Sequence, residues 1–369
     1  MSISEPAPRY LGLRYVGDTI EDPILSVAVP YSYNGVVFFV LASANHKELP
    51  PGYKLDQSIE GKLLIEMNDL SWGEVTDEKD NRIYYLQDEL ARLVADACLP
   101  LMRQLAPSTP LSTPRTLQEE LYPETYMLQV LTEGDKLKCH RLDGYELPPK
   151  HPPIPEAKLQ EIFPEAKLQD IKPNVISPFS ITVVKPSQII LGPRLQSLVW
   201  KVDVDREEMI CKVSLDIFQD AISEELQTYM KIRDAKVGVG MRVPQLKGII
   251  QSHMGVIGIL LNYIPHKYHS LRMLLDGVKC GDIPEAEATI SMKTKWATQI
   301  KETLKQLHEL GILWRDIKTD NVLIDDHGDA ILLDFGGGNT LGWVDQDKYN
   351  TMEGDVQGLQ KILTALGEE

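Results

Sequence analysis

Three polar side chains with no evident structural duty lie close together between Gly311 and Gly338. They are Asp316, Asn321 and Asp334. Two short apolar runs, Asn321–Ile324 and Ala330–Leu333, flank a polar turn, and this pattern predicts an antiparallel hairpin. The hairpin would gather the three side chains at one end. They are therefore the first candidates for a functional site.

Two motifs surround this hairpin at a fixed distance from each other. Trp314-Arg315-Asp316 stands where a His-Arg-Asp triplet is typical, and Lys318 and Asn321 continue a D-x-K-x-x-N pattern. Asp334-Phe335-Gly336 follows the second run. In residue type and spacing these motifs resemble those of the protein kinase superfamily. The surrounding sequence is similar to that of kinase-like proteins of filamentous fungi. The resemblance extends from Ile181 to the end of the chain.

The resemblance implies a role for each polar residue. Asp316 would accept or orient the proton of an acceptor hydroxyl, and Lys318 would neutralise charge on the migrating γ-phosphoryl group, as is typical of Ser/Thr kinases. Asn321 and Asp334 would supply oxygen ligands to Mg²⁺, a hard cation. Trp314 replaces a histidine of structural role, so we expect altered internal packing and preserved chemistry.

A hairpin that covers ATP is expected upstream, at Ile189–Val202, with Val199 placed over the base. Only Gly192 matches the glycine-rich loop of the family, because Arg194 and Ser197 stand at the second and third glycine positions. Glycine lets backbone N–H groups approach phosphate closely. Here side-chain donors would have to replace that contact.

The strand Met209–Lys212 resembles the one that presents a lysine to the α- and β-phosphates. The next helix, Phe218–Ile232, offers Glu224 and Glu225 as partners for Lys212. An apolar stripe follows Glu225 at helical spacing, with members Leu226, Tyr229 and Ile232. This register favours Glu225, with Glu224 as the second choice.

Two further strands, Val243–Ile250 and Val256–Tyr263, lead to a segment that resembles the hinge between the kinase lobes. Leu261 would close the back of the nucleotide pocket. Backbone groups of Asn262 and Ile264 would bind adenine.

The C-terminal part departs from the family. The amphipathic helix Thr294–Leu310 leads into the first motif. Asp355 fits the aspartate that opens the following helix and braces the catalytic loop, which here comprises Trp314–Asn321. Only twenty residues separate Asp334 from Asp355, and Glu353 lacks the alanine and proline of an Ala-Pro-Glu motif. We therefore expect a shortened activation segment and a truncated C-lobe ending at Glu369.

The first 145 residues predict a separate domain with no recognisable catalytic motif. Asn34-Gly35 within Ile24–Ser43 predicts a hairpin with a type I′ turn, because both residues tolerate positive φ. An apolar run predicts a strand at Gly61–Met67. Apolar residues at helical spacing predict a helix at Tyr84–Leu105, which Pro100 kinks or ends early. Thr125–Leu131 and Lys136–Leu142 predict a second hairpin. Residues 146–179 are proline-rich, contain a repeated PEAKLQ segment, and predict a semi-rigid linker.

Composition narrows the class of partner. The net charge of −16 argues against nucleic acid and anionic membranes, which bind clustered cations. No apolar run is long enough to span a membrane, and the N-terminus resembles no signal peptide. The scattered cysteines Cys98, Cys139, Cys211 and Cys280 suit reduced thiols, so the sequence predicts a cytoplasmic or nuclear protein that is not secreted.

The sequence thus predicts an α+β protein: an N-terminal domain over residues 1–145, the linker at 146–179, and a bilobal kinase-like domain at 180–369 whose N-lobe ends near residue 264. The function implied by the resemblance is Mg²⁺- and ATP-dependent phosphoryl transfer to a hydroxyl of a protein or a small molecule. The alternatives are a nucleotide-binding scaffold, favoured by the altered glycine loop, and a kinase fold recruited to a biosynthetic reaction.

Overall fold

The computed structural model mixes helices and β-sheets and divides into two compact units. The first comprises Met1–Pro114 with Glu119–Pro148, and the second Arg115–Gln118 with Pro149–Glu369. The structure describes residues 7–16, 26–43, 49–71, 76–107, 114–142, 181–213, 219–235, 240–253, 255–338 and 340–368. The predicted linker at 146–179 lies outside the described residues.

The first unit contains a mixed sheet with the strand order β1-β3-β4-β5-β6, and β2 also pairs with β3. Its strands are β1 (Arg9–Tyr10), β2 (Arg14–Val16), β3 (Ser26–Tyr33), β4 (Val36–Ala42), β5 (Thr125–Glu133) and β6 (Lys136–Leu142). Strands β4 and β5 run parallel, whereas the other neighbours are antiparallel. Both predicted hairpins are present. Asn34 and Gly35 have φ values of 49° and 83°, which is the left-handed backbone that a type I′ turn requires.

Two helices pack on this sheet, α1 (Ile59–Ser71) and α2 (Asp77–Leu105). The predicted strand Gly61–Met67 is wrong, because these residues belong to α1. Ser58 Oγ accepts the Gly61 N–H at 2.9 Å and caps the helix, and Leu64 and Met67 share one buried face at a helical spacing.

The helix α2 begins earlier than its apolar pattern predicts. Thr76 caps it by accepting the N–H of Lys79, and the acidic residues Asp77, Glu78 and Asp80 occupy the first turn, where they complement the helix dipole. Pro100 lies inside the helix, which continues to Leu105. Of the two predicted effects of Pro100, a kink or an early end, the early end is therefore wrong.

The second unit is built on a sheet with the order β7-β11-β12-β10-β9-β8. These strands are β7 (Thr182–Val184), β8 (Ile190–Gln196), β9 (Val199–Val204), β10 (Glu207–Val213), β11 (Leu246–Ser252) and β12 (Gly255–Asn262). Only β7 and β11 run parallel among these described strands. Thr116 lies just before the short helix α3 (Leu117–Leu121). It forms an isolated antiparallel bridge to Ile190, the first residue of β8.

Helices and a small hairpin complete the second unit: α4 (Gln219–Asp234), α5 (Leu271–Cys280), α6 (Ile290–Glu309), β13 (Val322–Ile324), β14 (Ala330–Leu332) and α7 (Met352–Leu366). One continuous apolar core joins the sheet to these elements. Its largest fully buried side chains include Trp296, Trp314, Tyr229 and Phe335. The sheet and the hairpin β13–β14 are thereby held at a fixed distance on either side of the residues that the motifs single out.

Gly358 on α7 provides a test of this packing. A Cβ atom at Gly358 would lie 1.9 Å from Ile317 Cγ2 and 3.2 Å from the Ile317 carbonyl oxygen, and Ile317 is itself buried. A helical Gly→Ala change ordinarily stabilises by about 1 kcal/mol. Here the overlap should reverse the sign, so we expect Gly358→Ala to lower the free energy of unfolding by about 1–3 kcal/mol.

Calorimetric unfolding of the full chain measures this effect. Val356→Ala, at an exposed position of the same helix, is the control and should change stability by less than about 0.5 kcal/mol. A higher unfolding temperature for Gly358→Ala would show that α7 does not pack tightly against Ile317.

Candidate active site

A cavity of about 440 Å³ lies in the second unit, lined from one side by the sheet and from the other by residues around β13 and β14. Among the predicted nucleotide-binding residues, the lining includes Val199, Lys212, Leu261, Asn262, Ile264, Asn321 and Asp334. Residues more than a hundred positions apart in the sequence therefore meet around one space.

The β8–β9 hairpin contributes differently from a glycine-rich loop. Gly192 does not line the cavity, and a Cβ atom there would lie 2.7 Å from the Lys201 carbonyl oxygen, so this glycine permits close strand pairing. Arg194 lines the cavity, but its Nε donates to the Gln196 carbonyl and its guanidinium lies over the Trp200 ring. Ser197 is not among the lining residues.

The segment after β12 is fixed by hydrogen bonds to its neighbours. The N–H of Asn262 donates to the Gln245 carbonyl at 3.0 Å, and Asn262 Oδ1 accepts the Gln245 N–H at 2.6 Å. The Ile264 carbonyl oxygen lies 2.7 Å from His266 Nδ1. No partner for the Ile264 N–H is found in the part of the chain that the structure describes, so this donor remains available to a ligand.

Several apolar lining residues were not predicted from the sequence. Ile210, Tyr229, Leu323 and Leu333 all line the cavity. Two signals could have found two of them: Ile210 lies two residues from Lys212 on the same strand face, and Leu323 lies two residues after Asn321. The other two depend on how α4 and the segment after β14 meet in space.

Lys212 is the centre of the charged end of the cavity. Its Nζ donates to Glu225 Oε1 at 2.7 Å and to Asp334 Oδ1 at 2.9 Å. Burial lowers the pKa of Lys212, but the two carboxylates outweigh burial and raise that pKa well above its ordinary value. The ammonium therefore stays charged at neutral pH, and it joins β10, α4 and the Asp-Phe-Gly segment.

The neighbouring carboxylate, Glu224, has a different partner. Its Oε2 accepts a hydrogen bond from Arg315 Nη1, in the catalytic loop. The structure thus separates the two glutamates that the sequence left as alternatives, and places Glu225 at Lys212.

Asp334 is held in an uncommon backbone conformation by the residues on either side of it. Its φ is 65°, which is rare for a residue other than glycine. Trp314 Nε1 donates to the Leu333 carbonyl at 2.8 Å. On the other side, Phe335 is buried and packs edge-on against the Tyr229 ring, with centroids 5.6 Å apart. Together these contacts aim the Asp334 carboxylate at Lys212.

Asp316 lies in a dense hydrogen-bond network. Lys318 Nζ donates to its Oδ2 at 2.5 Å, and Asn321 Nδ2 donates to the same oxygen at 3.0 Å. The hydroxyl of Thr340 lies 2.8 Å from Asp316 Oδ1 and 2.8 Å from Lys318 Nζ. Thr340 was not predicted, because it matches none of the motifs and reaches Asp316 only through the fold.

Asp355 braces the catalytic loop from α7. It is buried and accepts the backbone N–H groups of Trp314 and Arg315, each at 2.8 Å, and it lies 2.8 Å from His308 Nε2. Arg315 has a φ of 69°, so this support holds a second uncommon backbone conformation. Glu353, two residues earlier, is exposed.

The donor set at the cavity fits Mg²⁺. Asn321 uses its Nδ2 toward Asp316, and Asp334 uses one oxygen toward Lys212, so Asn321 Oδ1 and the second oxygen of Asp334 have no partner among the described residues. These are hard oxygen ligands of the kind Mg²⁺ prefers, usually alongside water and phosphate. No cluster of three or more His, Cys, Asp or Glu side chains in the described ranges could hold a metal by itself.

None of the helices in the described ranges is both long enough and apolar enough to cross a bilayer.

Comparison with known proteins points to the same segment. The family model described as "Protein kinase domain" matches residues 221–357. This range contains Glu225, Asp316, Asn321 and Asp334, and it begins after Lys212 and the β8–β9 hairpin.

Curated relatives match over parts of the chain. The chain is 44% identical over 55 residues to the serine/threonine-protein kinase PSK2 of Saccharomyces cerevisiae, covering 15% of this chain and 4% of the relative. It is 29% identical over 99 residues to the serine/threonine-protein kinase PKH3 of Eremothecium gossypii, covering 26% and 13%. It is 33% identical over 88 residues to the human ribosomal protein S6 kinase alpha-4, covering 21% and 11%.

The chain thus spans a small part, between 4% and 13%, of the lengths of these relatives. The family match over residues 221–357 and these relatives support membership of the protein kinase superfamily.

Proposed function

We propose that the second unit is a phosphotransferase that moves the γ-phosphoryl group of ATP to a hydroxyl, with Mg²⁺ bound. The observation that carries the proposal is the position of Lys212, whose ammonium is held by Glu225 and Asp334 at the charged end of the cavity. Phosphoryl transfer depends on positioned charge more than on covalent chemistry, and this arrangement supplies such charge.

The apolar part of the cavity suits the adenine ring. Val199 and Ile210 from the sheet and Leu323 from β13 provide surfaces for a flat base, and Leu261 closes the space behind it. The Ile264 N–H provides a donor for a ring nitrogen. We infer that these groups orient the base and point the phosphates toward Lys212.

The charged groups then act on the phosphates. Lys212 would contact the α- and β-phosphates, and Glu225 keeps its ammonium extended into the cavity. Mg²⁺, when bound, neutralises charge that develops on the phosphate oxygens. Asn321 and Asp334 are the residues that would hold it, through the two oxygens that have no partner among the described residues.

Asp316 would receive or orient the proton of the attacking hydroxyl. Lys318, hydrogen-bonded to the same carboxylate, would offset the negative charge of the transferred group. Thr340 bridges these two side chains and keeps their separation fixed. The names of the relatives favour a Ser or Thr hydroxyl of a protein as the acceptor. A small-molecule hydroxyl remains the alternative because the segment from Asp334 to Asp355 is short.

A second candidate function is a nucleotide-binding scaffold without transfer. The observation that favours it is the β8–β9 hairpin, where Arg194 is engaged with Gln196 and Trp200 instead of being free to contact phosphate. Binding of MgATP without release of ADP would favour this candidate over the phosphotransferase.

Substitution of Asp316 and substitution of Asp334 should impair different steps of the proposed reaction. Asp316→Asn should lower turnover by about 100-fold or more, because it removes the proton acceptor, while leaving nucleotide affinity nearly unchanged. Asp334→Asn should also weaken MgATP binding, since it removes a charged oxygen ligand. ADP release and equilibrium binding of a fluorescent ATP analogue, with and without Mg²⁺, separate the two effects.

Asp326→Asn is the matched control, because Asp326 is an exposed aspartate in the β13–β14 turn. It should behave like the unaltered protein in both assays. Full turnover in both Asp316→Asn and Asp334→Asn would overturn the phosphotransferase proposal.

Trp314 offers a second test. Trp314→Phe keeps a buried ring but removes the N–H that the Leu333 carbonyl accepts, so the support of Asp334 is weakened. One buried hydrogen bond contributes about 0.5–1.5 kcal/mol, which corresponds to a loss of up to about tenfold in turnover. Affinity for nucleotide without Mg²⁺ should change little.

Trp296→Phe is the control for this change. Trp296 is equally buried, and its Nε1 donates to the Gly328 carbonyl at 3.1 Å, in the turn of the β13–β14 hairpin. Trp296→Phe removes the same kind of hydrogen bond at a position that does not support Asp334. It should reduce stability without a specific loss of turnover. Equal turnover in both variants would show that Trp314 does not support Asp334.

A further inference from the structure

Helix α4 carries two adjacent carboxylates with separate partners. Glu225 is buried and pairs with Lys212 of β10, while Glu224 is partly exposed and pairs with Arg315 of the catalytic loop. The proposed mechanism uses only the first pair. The second joins the same helix to the loop that carries Asp316.

Arg315 is fixed at both its backbone and its side chain. Its N–H donates to Asp355 Oδ1 at 2.8 Å, and its guanidinium contacts Glu224. Since Asp355 also accepts the Trp314 N–H, the pair connects α4 through the catalytic loop to α7. Movement of α4 would therefore require this ion pair to break.

The glycine run after Asp334 passes against this ion pair. A Cβ atom at Gly337 would lie 3.0 Å from Glu224 Oε2 and 3.5 Å from Arg315 Nη1, and the φ of Gly337 is +78°. A Cβ atom at Gly336 would lie 3.1 Å from the Ala221 carbonyl oxygen of α4. The absence of side chains here lets the helix and the catalytic loop approach closely enough to pair.

We propose that Glu224 is a positioning residue that holds α4 against the catalytic loop and gives Arg315, without any modification, the negative partner it needs. In kinases that are switched on by phosphorylation, a phosphate paired with arginine orders this region. Here a carboxylate built into α4 occupies that role. The inference rests on the proposed phosphotransferase function and adds that the site is assembled without phosphorylation.

The geometry sets which kinetic quantity should change. Release of α4 would move Glu225 away from Lys212, which affects the placement of the phosphates more than the apolar contacts of the base. Glu224→Gln should therefore lower kcat by about tenfold or more, with less than about a threefold change in KM for ATP. Asp234→Asn is the matched control, because it removes one negative charge from an exposed position of the same helix.

A double-mutant cycle distinguishes the ion pair from a general loss of stability. If Glu224 acts through Arg315, Glu224→Gln combined with Arg315→Gln should lose no more activity than the more damaging single change. Independent, additive losses would overturn the proposal. A loss in Glu224→Gln no larger than that in Asp234→Asn would overturn it as well.

Phosphatase treatment tests the second part of the proposal. The full chain, treated and shown by intact mass to carry no phosphate, should keep its rate of ADP release. A loss of activity that returns on phosphorylation would overturn the inference while leaving the phosphotransferase proposal intact.

Hydrogen exchange separates failure of this inference from failure of the proposed function. Glu224→Gln should raise amide exchange in residues 221–234, whereas Asp234→Asn should not. This result supports the positioning role even if the unaltered protein releases no ADP, which would contradict the proposed function alone. Unchanged exchange in Glu224→Gln would overturn the positioning role whatever the activity.

Discussion

The second unit depends on one buried ammonium group. Lys212 has a side chain that is 17% exposed, and an isolated charge at that depth would be strongly destabilising. Two carboxylates offset this effect, and one of them, on Asp334, lies 122 positions away in the sequence. Because an unpaired partner would be costly to leave buried, β10, α4 and the Asp-Phe-Gly segment are constrained to meet at one point. The cavity is the space that this meeting leaves beside them.

The catalytic loop is subject to a second constraint, which is backbone strain. Arg315 and Asp334 both adopt positive φ, a conformation that costs about 1–3 kcal/mol for residues of this type unless neighbours impose it. The neighbours are identifiable: Asp355 accepts two N–H groups of the loop, and Trp314 donates to the carbonyl next to Asp334. The stability of the core thus holds the Asp334 carboxylate at the cavity and the Arg315 guanidinium against Glu224.

Local patterns account for what the sequence predicts well. The Asn34-Gly35 hairpin follows from two residues that tolerate positive φ. The choice of Glu225 over Glu224 follows from the apolar stripe that includes Tyr229, which lies at helical spacing from Glu225. Gly61–Met67 was wrongly predicted as a strand because a short apolar run does not distinguish a strand from a buried helix. The cap at Ser58 favours the helix. Thr340 and the Glu224–Arg315 pair could not be predicted, because neither has a local pattern and both depend on packing between distant elements.

The exchange of histidine for Trp314 shows how such packing can preserve a site while a motif changes. An indole is larger than an imidazole and has only one N–H, so it can hold one carbonyl and must otherwise be enclosed by apolar groups. Trp314 meets both conditions, since its Nε1 reaches the Leu333 carbonyl and its ring is fully buried in the common core. The position of Asp334 therefore depends on a donor at this distance and on a filled core, and only secondarily on the residue type that supplies them.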